Sequence, residues 1–296
     1  RYLGFSRKLS ADRRPTGLSH QPMYTQFFSL SEPPFSTTAD PRYVYIAPQH
    51  NQVLARLLHD IDQTEGGLSV LTGEAGVGKT TLCRCLLEQL PDNVDVALII
   101  NPHPNQAKFL ASICDGLNVA YPSQCSDLDI LVDSLGKHLT REYARGRRFV
   151  VLIGRAQNLR FESMEQIRLL THLETRQTKL LHVILVGHSD LNKILEHADS
   201  RQIVRRVTAR YQLRPFSLAE TRAYIQHRLT VGGCQKPLFT RLAMGQVHQR
   251  SGGIPRKINV ICDRALLDAH RMGKTQVDRT TALHAAREVL TPAHPT

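Results

Sequence analysis

The 296-residue sequence predicts an α/β protein in which a parallel sheet is sandwiched by helices and followed by a small all-helical domain. Between residues 51 and 213, short apolar runs alternate with longer segments of helical periodicity, as expected for strands joined by helical crossovers. A glycine-rich turn follows the first apolar run, and a helical pattern begins directly after that turn. From residue 214 onward apolar residues recur at helical spacing alone, which predicts the separate helical domain.

Two segments precede the α/β domain. Residues 1–22 show no periodic apolar pattern and no secretory h-region, so we expect a disordered leader there. Residues 23–50 are rich in proline and are expected to form an N-terminal linker. The α/β domain is therefore placed at residues 51–213 and the helical domain at residues 214–292.

The individual elements follow from the apolar patterns. Strands are expected at residues 68–71, 94–102, 148–153, 180–187 and 205–213. Between them, helices are expected at residues 51–61, 79–90, 106–117, 128–146 and 162–178. The helical domain is expected to hold helices at residues 217–233, 240–253, 255–273 and 279–290.

Composition narrows the class of protein. The net charge of +12 is concentrated in residues 201–296, which contain 17 Lys and Arg against 5 Asp and Glu. Such a region attracts nucleotide phosphates, nucleic acid or acidic partners, or it is simply a solvated basic surface. The six cysteines form no CxxC pair, which favours reduced thiols and a cytoplasmic location. No apolar run approaches the roughly 18 residues of a membrane span.

A phosphate-binding loop is the most specific motif. Residues 73–80 read GEAGVGKT and match GxxxxGK[ST] in full, with a strand before the loop and a helix after it. Lys79 is expected to reach the β- and γ-phosphates, Thr80 to ligate Mg²⁺, and Thr81 to lie at the same helix N-terminus. The backbone N–H groups expected to surround the phosphate oxygens are those of Gly73, Glu74, Ala75, Gly76, Val77 and Gly78. The sequence therefore predicts a nucleotide site.

The acids that usually accompany this loop are missing. In such proteins an Asp at the tip of a neighbouring strand holds Mg²⁺, and in many ATPases the next residue is a Glu that activates water. The apolar strand at residues 148–153 is instead followed by Gly154 and Arg155. Losing a general base typically lowers a rate by roughly 10²–10⁴-fold. We therefore expect weakened Mg²⁺ binding and no clear catalytic residue, with Arg155 lying either against the phosphates or toward solvent.

Other acids are poorly placed to substitute. Glu162 and Glu165 follow the strand tip on the next predicted helix, and Glu74 lies inside the phosphate loop. The sequence thus leaves open whether the protein hydrolyses a nucleotide or only binds it.

Residues 23–290 resemble the AAA+ ATPase domain of general secretion pathway protein A, a family that includes short relatives from pilus biogenesis. The resemblance rests on TGEAGVGKTTLCRCLLEQL, KLLHVILVGHSDL and RSGGIPRKINVICDRALL, among other stretches. It implies an AAA+ core, a helical lid that closes over ATP, and a homo-oligomer that assists a type II secretion or pilus machine. Full-length members also carry a membrane span and a peptidoglycan-binding domain. The chain is therefore expected to be a short relative, a truncated copy or a decaying paralogue that needs a membrane-anchored partner.

The resemblance also implies roles for single residues. Arg256 in GGIPRKIN matches the lid arginine that touches the γ-phosphate. Relatives have Asp-Glu where this sequence has Gly154-Arg155, and Gly-Gln-Pro-Glu where it has residues 187–190, which makes His188 a doubtful sensor. The resemblance further implies that an arginine near the end of this domain reaches a neighbouring subunit's nucleotide, and the candidates are Arg205, Arg206 and Arg210.

Three functions remain open at this stage. The first is an ATP-binding assembly factor of the secretion type, with weak or lost hydrolysis. The second is a pseudo-ATPase that works as a nucleotide-gated binding module. The third is a nucleic-acid-linked AAA+ ATPase of the transposition type, motivated by the basic lid. The third has less support because aromatic content is only 6% and no nucleic-acid recognition motif is present.

Overall fold

The computed structural model describes residues 23–37, 40–62, 66–123, 125–174, 178–197, 201–234 and 236–290. The leader expected at residues 1–22 lies outside them. The described strands are β1 (Gly67–Gly73), β2 (Val94–Ile99), β3 (Arg148–Ile153), β4 (Leu181–Gly187) and β5 (Val207–Leu213). The described helices are α1 (Tyr24–Phe27), α2 (Pro48–Asp62), α3 (Lys79–Gln89), α4 (Gln106–Gly116), α5 (Leu128–Tyr143), α6 (Phe161–Leu170), α7 (Asp190–Glu196), α8 (Arg201–Val204), α9 (Leu218–Val231), α10 (Arg241–Ser251), α11 (Pro255–Arg271) and α12 (Arg279–Leu290).

The strands form one parallel sheet in the order β2-β3-β4-β1-β5. Thr72 lies opposite Gly187, and Ile153 lies opposite Leu185, so β1, β4 and β3 end side by side. The predicted fold class is therefore confirmed. The parallel arrangement brings the residues after each strand to one edge of the sheet.

Helices cover both faces of this sheet. Successive strand residues point to opposite faces, so Val151 packs toward α4, α5 and α6 while Val150 packs toward α2 and α3. Because both faces are buried, β3 and β4 are nearly continuous apolar runs, whereas the edge strand β5 alternates between exposed and more buried residues. Among the described residues, no helix is both long and apolar enough to cross a membrane.

A separate apolar cluster holds helices α9 to α12 together. Residues of the segment before α2 contribute to it, because Tyr24, Phe28 and Phe35 pack among side chains such as Ile225 and Leu266. The segment that the sequence assigns to a linker thus packs against the helical part of the chain. The domain boundaries themselves stay a prediction.

One predicted helix is too long. The helix expected at residues 162–178 ends at Leu170. There the chain turns back toward β4, since the Leu180 N–H donates to the Leu173 carbonyl at 2.9 Å and Glu174 pairs with Lys179 in an antiparallel bridge. The sequence analysis also missed α1, α7, α8 and short 3₁₀ helices at Pro41–Tyr43 and Ala156–Asn158, which are too short to show a helical apolar period.

A buried polar network joins α2 to the sheet far from the phosphate loop. Both Ser69 Oγ, at 3.1 Å, and Tyr211 Oη, at 2.7 Å, donate to Asp60 Oδ2. His182 Nε2 lies 3.1 Å from Ser69 Oγ and donates to it, since that hydroxyl already donates to Asp60. Its Nδ1 is buried without a partner among the described residues. Burial lowers the pKa of His182 from 6.5 to about 4, so the ring is neutral at physiological pH.

We expect this histidine to make the fold acid-sensitive. The unfolded chain binds a proton near pH 6.5, whereas the folded chain does so near pH 4. The free energy of unfolding should therefore decrease as the pH falls through this window, by on the order of 3 kcal/mol. Urea unfolding at several pH values measures this slope. His182→Gln should flatten it, whereas the exposed His103→Gln should not; an unchanged slope in His182→Gln would contradict the assignment.

Candidate nucleotide site

The phosphate loop turns between β1 and α3 on glycines in left-handed conformations. Gly76 has a φ of 83° and Gly78, which caps α3, a φ of 110°. Val77 is fully buried and anchors the loop in the core beneath α3. Lys79 Nζ donates to the carbonyls of Gly73 at 2.7 Å and Glu74 at 2.8 Å. Partial burial lowers the pKa of Lys79. The loop thus presents the amino end of a helix and a cation, which together suit an anionic ligand.

A cleft of about 720 Å³ opens at this loop. Cofactor and ligand pockets commonly measure about 300–1,000 Å³, so a nucleotide fits. Of the predicted loop residues, Gly73, Glu74 and Ala75 are not part of its lining, whereas the lining includes Gly76, Val77, Gly78, Lys79, Thr80 and Thr81. The same cleft is also lined by aromatic and apolar side chains, namely Tyr43, Val44, Tyr45, Ile46, Phe216 and Tyr224. The cleft therefore combines the polar and basic groups of the loop with an aromatic wall.

The first turn of α11 closes the cleft from the helical side. The Arg256 N–H donates to the Gly76 carbonyl at 3.3 Å. A Cβ at Gly76 would lie 2.7 Å from Arg256 Cβ, so this close approach requires glycine. The structure thus brings Arg256 to the phosphate loop and to the cleft, and its contact with the γ-phosphate stays a prediction.

The tip of β3 carries no acid. The Gly154 N–H continues the sheet by donating to the Ile99 carbonyl at 2.8 Å, and a Cβ on Gly154 would lie 3.0 Å from the Ile100 carbonyl oxygen. Arg155 has a φ of 50° and an exposed side chain. That side chain makes no hydrogen bond or ion pair with the described residues and is not part of the cleft lining. Of the two placements expected for Arg155, the structure shows the one toward solvent.

The substitute acids do not face the cleft. Glu165 pairs with Arg168 at 2.8 Å, and Glu162 and Glu74 are exposed outside the lining. Among the described residues, the acids that do line the cleft are Asp40 and Glu88. Asp40 pairs with Arg42, and Glu88 lies eight residues after Thr80, which is about 12 Å along the helix axis.

The neighbouring tip of β4 carries a different polar group. The His188 N–H donates to Gln157 Oε1 at 3.0 Å, and His188 Nδ1 lies 2.9 Å from Asp190 Oδ2. Lys193 and, to a smaller degree, His188 lower the pKa of Asp190. Gln157 therefore links the ends of β3 and β4. The sequence analysis did not single out this glutamine, because it stands in a loop without a recognisable motif.

The three arginines expected near a subunit boundary lie around β5. Arg206 contacts the His172 ring through Nη2 at 2.5 Å. Arg205 and Arg210 are exposed, the latter on the edge strand of the sheet. Their proposed role toward a neighbouring subunit stays a prediction.

The cleft also contains residues that the sequence analysis missed. His50 is buried against the loop, where its Nε2 faces Gly78. Burial lowers the pKa of His50. Arg228 and Asn259 line the cleft from α9 and α11. No local motif marks these residues, since each reaches the site through tertiary packing.

A parallel sheet with a phosphate loop after β1, whose cleft is closed by a helical unit, defines a P-loop protein of the AAA+ class. The family model described as an AAA domain matches residues 54–195. The chain is 46% identical over 267 residues to general secretion pathway protein A of Aeromonas hydrophila, which covers 90% of this chain and 48% of that protein. The chain belongs to the general secretion pathway protein A family of AAA+ proteins. It spans about half the length of this relative.

Solved structures share the fold at low sequence identity. Cdc6p from Pyrobaculum aerophilum matches with a TM-score of 0.68 and 17% identity over 87% of this chain and 73% of its own. A chain of Drosophila ORC bound to DNA matches with a TM-score of 0.67 and 19% identity over 98% of this chain and 72% of its own. The RuvB Holliday junction branch migration motor of Thermotoga maritima matches with a TM-score of 0.51 and 15% identity over 84% of this chain and 71% of its own. At these identities the likeness concerns the fold alone.

The position of Arg256 depends on Gly253, three residues before it. Gly253 has a φ of 73°, and a Cβ there would lie 2.1 Å from the Phe216 carbonyl oxygen. We expect Gly253→Ala to lower the free energy of unfolding by about 2 kcal/mol or more, because it combines a left-handed alanine with a backbone clash. Gly245→Ala is the control. Gly245 lies inside α10 with open space around it, so alanine there should stabilise by about 0.5–1 kcal/mol. Thermal unfolding of both variants measures the difference, and a Gly253→Ala variant as stable as wild type would contradict it.

Proposed function

We propose that this chain binds ATP and Mg²⁺ at the phosphate loop and that its ATP hydrolysis is weak or lost. The observation that supports this proposal most strongly is an asymmetry. The loop is complete and faces a cleft, whereas the tip of β3 carries Gly154 and Arg155 in place of acids. The groups for binding a nucleotide are thus present at the loop, and the acids for hydrolysing it are missing at the β3 tip.

The loop residues suit the triphosphate end of a nucleotide. The backbone amides of residues 73–78 would hold phosphate oxygens, and Lys79 would neutralise the β- and γ-phosphates. Thr80 has an exposed side chain in the cleft and would offer its hydroxyl to Mg²⁺. Arg256 would contact the γ-phosphate from the lid. Bound Mg²⁺ supplies charge neutralisation for the phosphates.

The biological role is proposed from the relative. General secretion pathway protein A names a component of a secretion pathway, so we propose that this chain is a nucleotide-dependent assembly factor for a secretion or pilus machine. In this role it would act in the cytoplasm as a homo-oligomer and engage a membrane-anchored partner. The aligned region covers 48% of that relative, so the activity of the whole relative is not transferred to this chain.

Two alternative functions differ from this one in phosphate release and in DNA binding. A pseudo-ATPase module would bind ATP without any release of phosphate, and the absence of acids at the β3 tip favours it. A nucleic-acid-linked ATPase is motivated by the basic residues of 201–296. Retention on DNA that falls steeply with salt would support the latter, and no retention at low salt would exclude it.

Lys79→Ala tests the nucleotide site directly. Isothermal titration with ATP and Mg²⁺ should show affinity that falls roughly 10–100-fold in this variant, since a hydrogen bond to a charged group contributes about 1.5–3 kcal/mol. The matched control is Lys137→Ala, which removes an exposed lysine paired with Asp133 on α5. Equal affinities in wild type and Lys79→Ala would refute a site at this loop.

Restoring the acids tests the loss of hydrolysis. We expect Gly154→Asp with Arg155→Glu to raise Mg²⁺-dependent phosphate release by roughly 10²–10⁴-fold over wild type. Because a Cβ at Gly154 is tight against the Ile100 carbonyl, the control is Gly154→Ala with Arg155→Ala, which adds the same Cβ without a carboxylate. Wild-type protein that releases phosphate as fast as the acid-restored variant would show that another residue supplies the base.

A further inference from the structure

Arg228 is a buried cation that fixes backbone on the wall of the cleft. It lies on α9 with 6% of its surface exposed. Its Nε donates to the Pro34 carbonyl at 2.5 Å, and its Nη2 donates to the Ser36 carbonyl at 3.0 Å. Two carbonyls of the segment before α2 are therefore held by one guanidinium.

The same guanidinium holds the aromatic side chains of the wall. Its Nη1 donates to Tyr224 Oη at 2.9 Å, and that hydroxyl donates to Asn259 Oδ1 at 2.7 Å. Its Cζ lies 4.7 Å from the centre of the Tyr43 ring, a cation–π distance. The ring of the adjacent His227 lies 5.7 Å from the Tyr45 ring, measured between ring centres. Helix α9 thereby joins the N-terminal segment to α11 along the aromatic wall of the cleft.

The charge has only a weak local counterpart in the Asp40 carboxyl, whose pKa is lowered mainly by Arg42 and only to a small degree by Arg228. Among the described residues, Arg228 has no carboxylate within ion-pair distance, although burying an unpaired charge is costly. A neutral side chain of similar size would avoid that cost, but it would lack three directed donor nitrogens in one rigid plane. Arginine differs from lysine in this fork of donors. The backbone geometry that Arg228 holds thus explains best why an arginine is buried at this position.

A nucleotide has two chemically different ends. The triphosphate requires amides and cations, which the loop at residues 76–81 supplies, and the base requires an apolar aromatic surface. The wall held by Arg228 includes Tyr43, Val44, Tyr45 and Ile46, which line the same cleft as the loop. The base therefore belongs at the wall that Arg228 fixes.

We propose that Arg228 is a positioning residue that orders the base-binding wall and so sets the affinity for the base end of a nucleotide, independently of its phosphates. This inference rests on the proposed function, because it requires the loop to hold the triphosphate. It predicts a division of labour in which Lys79 governs phosphate affinity and Arg228 governs base affinity.

The test compares ATP with inorganic tripolyphosphate, which lacks the base, as competitors of a fluorescent ATP analogue. Arg228→Lys keeps the charge but loses the fork of donors, so we expect its ATP affinity to fall about 10-fold while its tripolyphosphate affinity stays within about twofold of wild type. Lys79→Ala should weaken both ligands. Arg250→Lys, on the exposed face of α10, is the matched control and should change neither.

Two outcomes would overturn the inference while leaving the proposed function intact. One is an equal loss of affinity for both ligands in Arg228→Lys, which would make Arg228 a phosphate-binding charge. The other is an unchanged affinity for ATP in this variant. If thermal melting shows that Arg228→Lys is unfolded, Tyr224→Phe decides, because it removes the hydroxyl that Nη1 contacts. Selective loss of ATP affinity in Tyr224→Phe supports the inference, and unchanged ATP affinity overturns it. Wild-type protein that binds neither ligand would overturn the proposed function and this inference together.

Discussion

The parallel alignment of β1, β4 and β3 is the constraint on which the site depends. Thr72 is level with Gly187, and Leu185 is level with Ile153, so the chain segments that follow these strands emerge at one edge. The phosphate loop, His188 and the Gly154-Arg155 pair therefore share that edge because these three strands, distant in the sequence, pair in parallel. Ligands of open parallel sheets bind outside the carboxyl ends of the strands for the same reason.

At this edge the residues that suit phosphate binding are present, whereas the acids that usually support hydrolysis are replaced. The loop glycines are fixed by close backbone approaches, such as that of Gly76 to Arg256, and Lys79 is held at the loop by two carbonyls. Gly154 instead packs against the Ile100 carbonyl, and Arg155 is exposed to solvent. A site of this kind holds a polyanion electrostatically, while no carboxylate near the β3 tip faces the cleft to activate water. Residues of the helical unit and of the N-terminal segment complete the lining of the cleft.

Sequence reasoning succeeded where a signal is local. The buried strands are continuous apolar runs, and the phosphate loop is a contiguous motif with a strand before it and a helix after it. It failed where a signal is carried by tertiary contacts. Arg228 reaches Pro34 and Ser36 across 194 and 192 residues, so nothing near Arg228 in the sequence marks its position on the cleft wall. The predicted helix extended too far past Leu170 for a related reason. No breaker residue marks its end, and the chain turns back there through the Glu174–Lys179 bridge just before β4.

The most direct test of occupancy without turnover is a crystal structure of the protein grown with ATP and Mn²⁺, with the metal located by its anomalous scattering. We expect intact ATP on the loop between Gly73 and Thr80, with the metal held by phosphate oxygens, the Thr80 hydroxyl and water. A metal ligated by a protein carboxylate, with a water positioned behind the γ-phosphate or with ADP in the site, would contradict the account.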